Sequence, residues 1–151
     1  MHSLVRRYIK TAIGFLIVGL LIGGWILVRR ELWDLGPSPY ETSAHTHAIL
    51  VGFIMMMILG VALWLFPRPE KGDHRYQPMA AEWAYWLLTL GTAARVIGEL
   101  LRPASSTLWL RSLVVVAGLA QIAGLLLYFH TMWSRIRAVG SKIREEQGEK
   151  F

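Results

Sequence analysis

Long apolar stretches alternate with short polar ones along this chain. Four stretches, 8–28, 46–66, 82–101 and 108–131, are predominantly hydrophobic. At 1.5 Å of rise per residue, each is long enough as a helix to cross about 30 Å of hydrocarbon. A soluble core does not need four such stretches in 151 residues of which 54% are hydrophobic. Backbone groups in lipid must be satisfied within the segment, which makes helices the expected elements. The pattern predicts an all-α integral membrane protein: a four-transmembrane-helix bundle over residues 1–133, then a charged tail over 134–151 that is helical at the membrane surface.

The polar breaks set the expected boundaries. The segment "RRELWDLGPSPYETSA" separates the first two runs, and its prolines, Pro37 and Pro39, read as helix breakers, with Thr42 or Ser43 capping the second span. Pro67 and Pro69 end that span, and Pro103 with two serines makes a tight turn between the third and fourth. The first run follows Arg6, Arg7 and Lys10 but is too long, and lacks the small-residue cleavage site, for a removable leader; it reads as a retained span. Within it, Gly19 and Gly23 form a small-xxx-small pair that allows close approach of another helix.

Charge adds an orientation. The formal net charge is +6, but the basic residues gather before the first run, between the second and third, and after the fourth. With four spans these segments share one side, which the positive-inside rule makes the cytoplasm, giving an N-in/C-in multi-pass protein. Trp25, Trp33 and Trp109 then mark the outer interface, and Trp64, Trp83 and Trp133 the inner one. This distribution argues for a lipid bilayer as partner and against nucleic acid. The chain has no cysteine, which excludes disulfides, thiolate metal sites and covalent haem attachment.

Ionisable residues near hydrocarbon are functional suspects. Here they are His45, His47, Arg95, Glu99, Arg111 and His130. His130 falls at the other end of the bundle from the histidine pair and reads as an interfacial residue. His74, in the polar loop, reads as solvated. Met55, Met56 and Met57 fan out around a helix by about 100° each and read as packing residues rather than a copper site. Arg95 and Glu99 are spaced to pair along one helix face.

His45 and His47 are about 200° apart on an α-helix and point in nearly opposite directions. They are not placed to chelate one ion together, but they suit a helix wedged between two flat cofactors, because neutral imidazole is a common axial ligand of haem iron. Gly52 and Gly60 lower on the same helix could leave room for a macrocycle. The alternative is two polar residues at a helix start.

The stretch "AHTHAILVGFIMMMILGVALWLFP", Ala44 to Pro67, resembles the tenth transmembrane helix of the catalytic subunit of haem–copper oxidases and nitric oxide reductases. That helix opens with Ala-His-x-His and closes with Trp-x-x-Pro, as Ala44–His47 and Trp64–Pro67 do here. The resemblance implies that His45 and His47 ligate the irons of two haems on opposite flanks of the helix, and that Arg102, with Arg95 and Arg111, meets haem propionates. The family's copper ligands have no counterpart, so copper is possible but unsupported. The family subunit repeats a four-helix group three times, with the histidine pair on the second helix of its group. The chain therefore corresponds to one group assembling as a homo-oligomer, a trimer favoured and a dimer next, with haem b shared between protomers through His45 of one and His47 of the next.

The expected function is that of a haem b-binding protein of a prokaryotic cytoplasmic membrane, acting in electron transfer or in binding or reduction of O2 or NO, with a redox partner or an oxidase or reductase complex as possible associates. The catalytic residues, if any, are not legible. The competing expectation is a non-catalytic accessory, assembly or metal-handling protein for such a complex.

Overall fold

The computed structural model describes residues 3–67, 77–137 and 147–148. It is helical, with helices α1 (Ser3–Trp33), α2 (Pro39–Thr46), α3 (Met56–Leu65), α4 (Pro78–Leu101) and α5 (Leu108–Met132). A nine-residue π-helical stretch, His47–Met55, joins α2 to α3, so that Pro39–Leu65 is one continuous rod. A single 3-10 turn, Trp133–Arg135, closes α5. The polar loop carrying His74 and most of the charged tail lie outside the described residues.

Among the described residues three helices are long and apolar enough to cross a membrane: Ser3–Trp33, Pro39–Leu65 and Leu108–Arg135. The expectation of four such spans is met only in part. Helix α4 forms over 24 residues, but Glu82, Arg95, Glu99, Tyr85, Thr89, Thr92 and its glycines and alanines dilute its apolar character. It packs along α5 on one side and against the histidine rod on the other, while α1 lies against the rod.

The rod begins earlier than the proline pattern predicted. Ser38 is its N-cap and Pro39 occupies the first turn, where the missing N–H costs nothing. The Glu41 N–H donates to Ser38 Oγ at 3.2 Å, and the Ser38 N–H donates to Glu41 Oε2 at 2.8 Å, a reciprocal capping box. Arg29 at the end of α1 ion-pairs with Glu41 and ties that loop to the rod.

Two buried clusters hold the helices together. Near the end opposite the histidines, Tyr8, Ala12, Met56, Leu59, Ala84, Tyr85, Leu88, Tyr128 and Met132 pack from α1, α3, α4 and α5. Met55 and Met57 pack against this cluster, as expected of soft side chains. Nearer the histidines, Ile22, Ala44, Ala48 and Val96 form a smaller cluster. Small residues allow the close approach: a Cβ at Gly91 would sit 3.0 Å from the Ala117 carbonyl oxygen, and one at Gly124 would sit 2.9 Å from Leu88 Cγ. Outward, large apolar side chains such as Leu20, Leu21, Leu119 and Leu126 remain exposed along the helices, the surface a bilayer would cover.

Candidate functional site

The histidine pair lies where α2 widens into the π-helical stretch, a rare geometry found often at functional positions. The two rings leave the rod on different sides. His45 faces α1, where its Nδ1 lies 2.9 Å from the Gly19 carbonyl oxygen. Its ring occupies the space left by Gly23: a Cβ there would come within 2.7 Å of His45 Cε1. The Gly19/Gly23 pair on α1 is thus the seat of an imidazole as well as a close helix contact. Ala48 and Ile49 fill the space beside Gly19.

His47 faces α4. Its Nδ1 lies 2.8 Å from the Ser43 carbonyl oxygen, one turn earlier. The same nitrogen is 3.4 Å from Glu99 Oε2, a longer contact, and 3.3 Å from Ser43 Oγ. The opposite orientations expected from the spacing are therefore observed. A main-chain carbonyl only accepts, so each ring must carry its proton on Nδ1. Among the described residues neither Nε2 has a hydrogen-bond partner. In a neutral ring held this way the Nε2 lone pair is left open, the form in which histidine binds a metal or a haem iron, with the other nitrogen fixed by its hydrogen bond.

Behind His47 is a polar network that crosses three elements. Glu99, its side chain only 4% exposed, accepts at Oε1 from Arg95 Nε at 3.0 Å and from Ser43 Oγ at 2.9 Å. Arg95 also donates to Gln121 Oε1 on α5 at 3.1 Å, and Gln121 Nε2 donates to Thr92 Oγ1 at 3.0 Å. Glu99 Oε2 is buried with no hydrogen-bond partner. The chain of contacts Ser43–Glu99–Arg95–Gln121–Thr92 pairs Arg95 with one oxygen of Glu99, charges that would otherwise be costly away from water, and leaves Oε2 without a hydrogen bond. The sequence had pointed to Arg95 and Glu99 by their spacing. Thr92 and Gln121 were not foreseen as partners, although a glutamine inside an apolar run was the available signal.

The remaining candidates sort as follows. Arg102 donates to Tyr40 OH at 3.0 Å and to the Ser105 carbonyl oxygen at 3.2 Å, and its guanidinium lies over the Tyr40 ring. It stands at the same end of the bundle as the histidines. Arg111, in the first turn of α5, is exposed and stays outside the Arg95–Glu99 pair. His130 is exposed in the last turn of α5, at the other end from His45 and His47. Gly52 needs correction: the room it was expected to leave for a macrocycle is taken by Phe15 of α1, whose ring and Cβ press against it. Tyr8 and Ile9 fill the space at Gly60 in the same way. Inside one chain these glycines serve helix packing.

Among the described residues no three His, Cys, Asp or Glu side chains converge on one point. A single imidazole of this kind is the donor that an axial position on a planar group takes, one ring per face. No family model matches the chain, and no curated protein or solved structure matches it.

Proposed function

We propose that the chain is a b-type haem protein of the membrane, acting in electron transfer or in the binding or reduction of O2 or NO. One observation carries this reading. Two imidazoles, two residues apart on a lipid-embedded rod, diverge to opposite flanks, each with Nδ1 committed to a main-chain carbonyl and Nε2 free. A merely polar helix start does not require that both rings be held in the ligating tautomer.

His45 and His47 would hold haem iron, and the group would supply one-electron chemistry when bound. Within a single chain Phe15 fills the space at Gly52, which is consistent with a cofactor carried at seams between copies, on His45 from one protomer and His47 from the next. Closed rotational symmetry repeats such a contact, and a trimer is favoured over a dimer by the resemblance to one third of an oxidase subunit. Arg102 and the exposed Arg111, at the histidine end, are suited to propionates. Arg95 is already engaged by Glu99 and Gln121 and contributes through them.

The same reading takes α4 as a fourth span. Its charged Arg95 and Glu99 find partners on the rod and α5, which removes the main obstacle to burying them in lipid. Basic residues at the opposite end then orient both termini to the cytoplasm of a prokaryotic cell.

Optical spectra of the purified full chain, oxidised, reduced and with carbon monoxide, test the proposal. Haem b bands that are lost in both His45→Ala and His47→Ala support shared ligation. A reduced spectrum that ignores carbon monoxide marks electron transfer, and one that shifts marks an open iron position. A colourless preparation, correctly assembled and made with ample haem, overturns the reading and favours an accessory role.

A further inference from the structure

The two histidines are not equivalent. His45 Nδ1 meets only the neutral carbonyl of Gly19. His47 Nδ1 meets the Ser43 carbonyl and also faces the Glu99 carboxylate. The carboxylate is held for that task. Its Oε1 is occupied by Arg95 and Ser43 Oγ, which fix the side chain from two directions. Its Oε2 is buried and receives no hydrogen bond, and the His47 N–H stands 3.4 Å from it. An unpaired carboxylate oxygen in such a place is costly unless the arrangement uses it.

The ring orientation follows from the acceptors around it. Ser43 carbonyl, Ser43 Oγ (whose proton goes to Glu99) and Glu99 Oε2 all present lone pairs to one nitrogen. Only a protonated Nδ1 avoids repulsion among them, so Nε2 is the open nitrogen whether or not anything is bound.

We infer that Glu99 is a positioning residue that makes His47 the more electron-rich of the two ligands, a carboxylate–histidine pair to which His45 has no counterpart. Resting on the haem reading, the consequence is an asymmetry between the two faces of each shared group. The negative charge beside the His47 N–H strengthens donation from Nε2 and favours ferric over ferrous iron. Arg95 tempers that charge from the Oε1 side and holds the carboxylate in place, so it belongs to the same device. Ser43 acts twice, through its carbonyl on the imidazole and through its hydroxyl on the carboxylate.

Two measurements test this on the full chain. The first needs no haem: nitrogen NMR of the haem-free protein labelled at histidine, with His47 assigned by His47→Gln. The expected result is a neutral His47 protonated at Nδ1 and bare at Nε2. A proton on Nε2 overturns the inference whatever the protein binds. The second uses the haem-loaded protein and compares wild type with Glu99→Gln, which keeps the shape and removes the charge. Haem affinity is expected to fall about 10–100-fold. The midpoint potential is expected to rise by about 59 mV, a tenfold change in the ferric-to-ferrous ratio. Unchanged potential and affinity with an intact haem spectrum overturn the role of Glu99 while leaving the haem reading standing. A wild-type chain that takes up no haem defeats that reading instead, and the NMR result then decides the hydrogen-bond arrangement alone. If Glu99→Gln does not fold, Ser43→Ala, which removes one donor from the carboxylate while Arg95 stays on it and keeps the main-chain carbonyl, leaves more charge beside His47 and is expected to lower the potential, the opposite sense, and no shift there overturns the inference.

Discussion

Tyr8 and Tyr128 meet edge to face in the core, ring centroids 6.0 Å apart, yet only one of the two hydroxyls has a partner. Tyr128 OH donates to the Leu59 carbonyl oxygen of the rod at 2.6 Å. Tyr8 OH, equally buried, has none. Both residues are almost wholly enclosed, so the difference is one of hydrogen bonding rather than packing. Removing the Tyr128 hydroxyl should cost about 0.5–1.5 kcal/mol, the net value of one internal hydrogen bond. Removing the Tyr8 hydroxyl relieves an unpaired buried polar group and should be neutral or stabilising. Thermal unfolding of Tyr128→Phe and Tyr8→Phe in detergent, followed by circular dichroism, measures both. Equal destabilisation by the two would contradict the assignment.

Adjacent glycines on α1 make a second contrast. A Cβ at Gly23 would meet the His45 ring, at 2.7 Å from Cε1 and 3.1 Å from Nδ1, whereas one at Gly24 meets nothing within 4 Å. The His45 ring is tied to the Gly19 carbonyl and cannot yield without losing that bond. Gly23→Ala should therefore destabilise by about 1–3 kcal/mol, the usual cost of overpacking. In a haem-loaded protein it should also lower occupancy at His45. Gly24→Ala should be neutral or slightly stabilising, since alanine favours a helix over glycine. Comparing melting and haem content of the two variants checks this, and similar behaviour would show that α1 does not seat His45.

Gly52 and Phe15 form a lock between α1 and the π-helical stretch. An added methyl at Gly52 would press into the Phe15 ring and lie 2.7 Å from its Cβ. Gly52→Ala alone should cost about 1–3 kcal/mol, and Phe15→Leu, by vacating part of the ring volume, should recover some of it. A double-mutant cycle with strictly additive effects would mean that the two residues do not touch.

The helices were legible because apolar runs of membrane length leave few alternatives, and among the described residues three of them are apolar enough to cross a membrane. Their ends were less so. Pro37 and Pro39 read as breakers, but Ser38, Pro39 and Glu41 together spell a capping box with proline in the tolerated first turn, and that local chemistry outweighed the breaker. The π-helical stretch left no mark in the sequence, because widening a helix changes its backbone bonding without demanding particular residue types. The divergence of His45 and His47 followed from spacing alone. What each faces did not, since Gly19 lies 26 residues before His45 and Glu99 enters from another helix. Gly52 was misread for the same reason: a missing side chain signals space but does not say which neighbour fills it.

Arg135 offers the last test, at the end of the bundle away from the histidines. Its guanidinium is buried and donates to three carbonyls at the end of the rod: Pro67 at 2.8 Å, Leu63 at 3.0 Å and Phe66 at 3.2 Å. A helix end leaves its last carbonyls without intrahelical donors, and Pro67 prevents the backbone from supplying them. The planar, five-donor guanidinium meets that need from the end of α5 and so joins the two helices. Lysine keeps the charge but is a single point donor and cannot span the same carbonyls. Arg135→Lys should thus cost roughly 2–3 kcal/mol, in the range of losing charge-assisted hydrogen bonds in a buried place. Arg6→Lys, exposed on α1, should cost little. Thermal unfolding in detergent separates the two, and an Arg135→Lys protein as stable as wild type would show that the rod's end does not depend on this clamp.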